Sequence, residues 1–228
     1  AINGARSIAL QSNGKIVAAT GSGTAQVTRL NANGSLDGNI GQNCGVGICS
    51  VDFVTVAPDD RILAAGIYEN FNGSGFPVFN ILNASGSSYQ AVAHSGVSFV
   101  LTAHVLSDGK IIVAGSSLGA PGHAFNLPGQ NVGPGVTRLL ADSSVDNSFN
   151  PGGGINSYSY IYALAVQSDG KYIIGGDFTA YNGVARNRIA RINTDGTLDT
   201  SFGPGAGVNG NVQSITVQPN GQIIIAGS

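Results

Sequence analysis

One pattern occurs five times along this chain: Ser7–Gly21, Phe53–Gly66, Thr102–Gly115, Ala163–Gly176 and Ser214–Gly227. Each copy joins two apolar runs through a short turn carrying Gly14, Asp60, Gly109, Gly170 or Gly221. Asn-Gly and Asp-Gly favour tight hairpins because positive φ costs little there. The runs are rich in Ile, Val and Ala with few polar interruptions, as in strands covered on both faces. Internal repeats of about 50 residues indicate a propeller or a solenoid. The pattern therefore constrains architecture far more tightly than function.

The fourth copy shows what else a repeat contains. A third strand is expected at residues 189–193, then a turn at Thr194-Asp195-Gly196, then Thr197-Leu198-Asp199 and Phe202-Gly-Pro-Gly. Two hairpin signals and three to four short strands make one propeller blade. The expected fold is all-β: a single β-propeller domain with blades of about 50 residues. Four complete repeats span roughly 5–50, 51–99, 100–160 and 161–211, and the inner hairpin of a fifth spans 212–228. That gives a partial ring or a five-bladed one. Ala9, Thr55, Ala165 and Thr216 form a small-residue column, which makes the first strand innermost, and His104 interrupts that column.

Composition narrows the partners. Charged residues are 10% of the chain, the net charge is −2 and no basic run occurs, so nucleic acid is not an expected partner. No apolar stretch is long enough to span a bilayer as a helix. The chain contains no Met and begins at Ala1, which suggests processing or a partial chain. Both ends supply an inner hairpin. The chain thus reads as part of a longer propeller, completed by missing blades, by further copies of itself or by a neighbouring chain. Cys44 and Cys49 enclose Gly-Val-Gly-Ile and suit a small disulfide-closed loop in an exported protein.

Aligning the copies with one another exposes a charged column. Arg29, Arg138 and Arg191 share one position of the third strand, and Asp37, Asp146 and Asp199 follow eight residues later. The second copy has Ile81 and Tyr89 instead, so both members are lost together. Joint loss points to structural pairs within a copy, because a site seldom recurs in three blades.

Candidate chemistry is sparse. The histidines are His94, His104 and His123, and no zinc-binding His-Glu-x-x-His or phosphate loop is present. Glu69 is the single Glu, which leaves paired-carboxylate chemistry to Asp. Asn193, Asp195 and Asp199 offer calcium-type oxygens without the EF-hand spacing, so neither metal nor other cofactor is expected. Tyr158, Tyr160 and Tyr162 alternate and would share one face of a strand. With His123, in the insertion from Ser117 to Gly135, they are the candidate ligand-binding residues, and sugar rings suit such aromatic faces.

The stretch Gly175-Gly-Asp-Phe-Thr-Ala-Tyr-Asn-Gly through Asn187-Arg-Ile-Ala-Arg-Ile-Asn-Thr-Asp-Gly-Thr-Leu-Asp-Thr-Ser-Phe-Gly-Pro-Gly resembles the bacterial delta-60 repeat, also described as a β-propeller domain of uncharacterised function. The resemblance implies secreted or surface-anchored bacterial proteins and carries no catalytic residues. The expectation is an extracellular or cell-surface non-catalytic scaffold for interaction, adhesion or assembly, with protein or glycan partners. A carbohydrate-binding module is the alternative, followed by a polysaccharide-active enzyme.

Overall fold

Turn chemistry sets the repeat. In all five copies an Asn or Asp side chain (Asn13, Asp59, Asp108, Asp169, Asn220) accepts the backbone N–H two residues on, at 3.0–3.2 Å. The residue between takes positive φ, at Gly14, Asp60, Gly109, Gly170 and Gly221. The side chain thus closes the turn and launches the return strand. The computed structural model describes residues 4–22, 27–40, 48–69, 75–87, 89–91, 100–116 and 135–228. Every helix or strand element among them is a β-strand.

The chain divides into two compact units, Ala1–His94 and Ser95–Ser228. The first contains β1 (Ser7–Leu10), β2 (Ile16–Ala19), β3 (Gly21–Ser22), β4 (Val27–Leu30), β5 (Leu36–Asn39), β6 (Ile48–Val56), β7 (Ile62–Glu69), β8 (Gly75–Leu82) and β9 (Tyr89–Ala91). One antiparallel sheet has the order β1-β2-β4-β5, and β3 crosses to the next, β3-β6-β7-β8-β9. The second unit contains β10 (Val100–Val105), β11 (Ile111–Gly115), β12 (Val136–Leu139), β13 (Ile161–Val166), β14 (Tyr172–Gly176), β15 (Ala180–Tyr181), β16 (Val184–Ala185), β17 (Ile189–Ile192), β18 (Val212–Val217) and β19 (Ile223–Gly227). Its sheets are β10-β11-β12, β13-β14-β17 and the hairpins β15-β16 and β18-β19.

Within each unit the first strands of successive copies pack on one another: β1 on β6, β10 on β13, and β13 on β18. Small residues on these strands permit the approach. Apolar residues then fill the space between sheets. In the first unit Val17, Ala19 and Val27 meet Val54, Ile62, Ala64 and Leu82. In the second, Ile112, Ala114 and Val136 meet Ile161, Tyr172 and Ile174, with Phe149, Phe178 and Tyr181 closing the cluster. Burying each large side chain contributes roughly 1.5–3 kcal/mol, so these interlayer clusters dominate stability.

A β-bulge marks the start of four inner strands. Register shifts fall between Val51 and Phe53, Val100 and Thr102, Ile161 and Ala163, and Val212 and Ser214. The extra residues are Asp52, Leu101, Tyr162 and Gln213. Opposite each shift stands Gly66, Gly115, Gly176 or Gly227. A Cβ at Gly176 would sit 1.8 Å from the Tyr160 carbonyl oxygen, and at Gly66 1.7 Å from that of Ser50. The glycine that ends each apolar run is therefore a steric requirement of the bulge. The first copy has Thr20 in that column and an unbroken register up to Ser7 opposite Ala19.

Residues 177–188 lie between β14 and β17. They carry the short hairpin β15-β16, whose two-residue strands are too brief to give a periodic signal. Tyr181 is fully buried there and donates its hydroxyl to the Gly196 carbonyl at 2.7 Å.

Candidate functional site

The charged column is a three-member cluster. Arg29, Arg138 and Arg191 place Nε 2.5, 2.8 and 2.8 Å from Asp37, Asp146 and Asp199. Lys15, Lys110 and Lys171 reach the same carboxylates at 3.0, 3.1 and 2.8 Å. Sequence comparison missed these lysines, although each directly follows the first turn in the same three copies. In the second copy Arg61 turns to Asp59 instead, at 2.6 Å. Arg138 also lies over the Phe149 ring and Arg191 over the Phe202 ring. Burial alone would raise the Asp146 pKa, but bonds from Ser148, Lys110 and Arg138 hold it well below the usual carboxylate range. Lys171, then Ser201 and Arg191, do the same for Asp199. These carboxylates are fully engaged by neighbours and leave no free group for chemistry.

The column also ties one copy to the next. Arg29 Nη1 donates to the Ala84 carbonyl at 3.0 Å, and Arg138 Nη1 donates to the Thr194 carbonyl at 2.5 Å. Ala84 and Thr194 occupy the same place in the second turn of the following copy. Gln11 Nε2 adds bonds to Asp60 O and Ala84 O, at 3.2 and 2.9 Å.

A cleft of about 530 Å³ opens in the second unit between the hairpin turns of the third and fourth copies. His104, Ser107, Asp108, Gln167 and Ser168 supply its polar lining. His104 is exposed to the cleft, whose desolvating walls pull its pKa below the usual imidazole value. Gln167 Oε1 is buried without a hydrogen-bond partner. Asp108 and Arg138 add charged groups to this lining.

The tyrosines separate. Tyr158 lies in a turn before β13, at φ 61°, and is 67% exposed. The turn is held from Asn156, whose amide donates to Ser159 Oγ at 2.7 Å. Tyr162 is the bulge residue of β13 and lies beside Tyr160. Their rings stack 5.7 Å apart, 8° from parallel. Asp177 joins both, accepting from Tyr160 N at 2.6 Å and from Tyr162 Oη at 2.9 Å. Burial and the Asp177 carboxylate push the Tyr162 pKa up to about 12. The bulge column, Asp52, Leu101, Tyr162 and Gln213, is chemically different in every copy, a signal visible by aligning the repeats.

Asn193, Asp195 and Asp199 are drawn into turn and pair bonding. Asn193 donates to Thr197 Oγ1, and Asp195 accepts from the Thr197 backbone and hydroxyl. Among the described residues no three His, Cys, Asp or Glu side chains converge as a metal group.

Three stretches, residues 11–39, 106–149 and 167–202, match the family profile of a "domain of unknown function (DUF5122) beta-propeller". The chain is a β-propeller domain. The unmatched second copy is the one without the Arg–Asp pair. Solved structures agree on the fold of the propeller. The PQQ-bound aldose sugar dehydrogenase of Streptomyces coelicolor is 14% identical over 100% of this chain and 75% of that one, with a TM-score of 0.58. A gluconolactonase of Xanthomonas campestris is 16% identical over 96% and 68%, at 0.57. The extracellular domain of a hybrid two-component system from B. thetaiotaomicron is 11% identical over 98% of this chain, at 0.57, and the propeller spans 26% of that chain. No curated protein sequence matches.

These likenesses correct the expectation of a chain without catalysis. The architecture is one that sugar dehydrogenases and gluconolactonases share, so scarce catalytic motifs do not exclude an enzyme. At such identities the fold alone is established. His94, His123, Cys44 and most of the insertion containing His123 lie outside the described residues, as does the side chain of Cys49. No helix among the described residues is long and apolar enough to cross a membrane.

Proposed function

We propose that this propeller is an extracellular or cell-surface scaffold that binds partners through apolar packing positions on its inner strands. One observation carries the reading. Ile8 and Leu10 on β1 are 69% and 68% exposed. Their counterparts Val54 and Val56, Ala103 and Val105, and Leu164 and Val166 are buried or half-buried in later copies. Apolar side chains at packing positions are a contact surface for a further repeat or for a partner. The low charge, the Cys44/Cys49 pair and the delta-60 resemblance support a location outside the cell, as does likeness to an extracellular domain. Sedimentation across a wide concentration range tests this reading. The parent chain is expected to associate, and Ile8→Asp/Leu10→Asp to remain monomeric with an unchanged melting temperature. Parent and variant sedimenting alike at every concentration would overturn it.

A carbohydrate-binding reading has its own support. The stacked Tyr160–Tyr162 pair beside Asp177, and the polar cleft at His104, both suit a hydroxyl-rich ligand. A glycan array should then show hits that Tyr162→Ala or His104→Ala removes. Hits insensitive to both variants would discard it.

A further inference from the structure

We infer that the cleft between the third and fourth copies binds a sugar acid, with the Ser107 N–H and Oγ–H on its carboxylate. The inference rests on the carbohydrate reading of that cleft above and names the ligand class.

The junction of the first and second copies provides the pattern. Ser12 donates its N–H and its hydroxyl to the two carboxylate oxygens of Asp60, at 2.7 and 2.5 Å. These two bonds hold the Asp60 carboxyl below its usual value, because they favour the ionised form. Beside them Gln11 Nε2 bridges to the Asp60 and Ala84 carbonyls. The inner turn of one copy thus grips a carboxylate borne by the inner turn of the next.

At the junction of the third and fourth copies the donors remain and the carboxylate is replaced. Ser107 holds the position of Ser12, Gly170 that of Asp60, and Leu106 that of Gln11. Ser107 makes no hydrogen bond among the described residues. Ser107, Gly170 and Leu106 all line the cleft of about 530 Å³, a volume within the range of small-molecule sites. A Cβ at Gly170 would meet Thr194 Cγ2 at 3.1 Å and, beyond its chain neighbours, nothing else within 4 Å. Space is therefore open where the Asp60 side chain grows at the other junction. His104, in the column where the first copy has Ala9, joins Ser168 in offering hydrogen bonds to hydroxyl groups. Leu106 and Val166 supply an apolar wall for the C–H face of a ring. Asp108 lines the cleft as well and opposes an anion, although Lys110 Nζ lies 4.0 Å from its carboxylate. The first copy has neutral Asn13 in that column.

The probe is D-glucuronate, titrated onto the whole chain beside D-glucose, with calorimetry and backbone amide shifts as readouts. Expected are saturable glucuronate binding that moves the Ser107 amide signal, and glucose binding at least tenfold weaker. Ser107→Ala should weaken glucuronate binding about tenfold, the value of one hydrogen bond to a charged group. Gly170→Asp supplies the carboxylate from the protein itself and should abolish binding. Asp60 already holds a φ of 63° in that column, so the variant should fold, and its melting temperature checks this. Asp108→Asn should strengthen binding. No saturable glucuronate binding, equal binding of glucose, or parent-like binding by both Ser107→Ala and Gly170→Asp overturns the inference. Neutral-glycan hits that His104→Ala removes and Gly170→Asp leaves intact would also overturn it while keeping the carbohydrate reading, so the two fail separately.

Discussion

Asp199 holds three groups together, and that decides how its loss is felt. Lys171 and Arg191 both bond its Oδ2, while Ser201 donates to Oδ1. Removing the carboxylate leaves two cations beside each other at the blade surface with no counter-charge. Deleting one member of a partly buried pair costs more than replacing both. Asp199→Ala should therefore lower the melting temperature by several degrees. The double change Arg191→Ile/Asp199→Tyr, which copies the second repeat, should lower it less. Equal and additive losses in a thermal melting series would refute the pairing. The second copy, with Ile81 opposite Leu63, has an apolar cross-strand pair in that place.

At the scale of the element, the inner hairpin is specified by its two glycine columns. One lies in the turn, and the other faces the bulge. Gly176→Ala forces a methyl onto the Tyr160 carbonyl and should cost about 3 kcal/mol, the upper range of overpacking. Gly183→Ala, with open space but a φ of 75°, should cost about 1 kcal/mol. Denaturant unfolding of both variants measures the difference, and similar values would deny the bulge its steric origin. The turn glycines were legible from Asn-Gly and Asp-Gly spacing. The bulge was not, because an extra residue leaves hydrophobic content unchanged and shifts only the partner opposite. Tyr158, evenly spaced in sequence with Tyr160 and Tyr162, leaves their face because it lies in the turn before β13 at φ 61°. The β15-β16 hairpin was illegible for a different reason: Tyr181 is buried by a tertiary contact to Gly196 that no local pattern announces.

Over the whole molecule, repeated carboxylates give the fold a pH dependence. Asp146 and Asp199 have folded-state pKa values well below their unfolded value near 4. Their contribution is fully present above that value and is lost as pH falls toward the folded-state values. Melting temperature should hold steady from neutral pH to about pH 5 and drop below about pH 4. Asp146→Asn and Asp199→Asn should each lower the plateau and flatten the drop. An acid profile identical to the parent would show that other groups govern it. The propeller architecture was readable from the repeat period; the ties between copies were not. Arg138 meets Thr194 across 56 residues, and only the folded chain brings them together.

That tie has a consequence for how such a chain can grow. Arg29 and Arg138 each place Nη1 on a carbonyl of the copy that follows, so the first and third repeats are not chemically closed on themselves. Cutting directly after either of those repeats severs that bond. Inserting one whole period that carries the arginine restores it, because the newcomer's turn carbonyl accepts from the copy before it and its arginine donates to the copy after. Lengthening by unequal crossing-over is thus tolerated in steps of one repeat. Chimeras joined at equivalent columns should fold where chimeras joined at arbitrary loops do not.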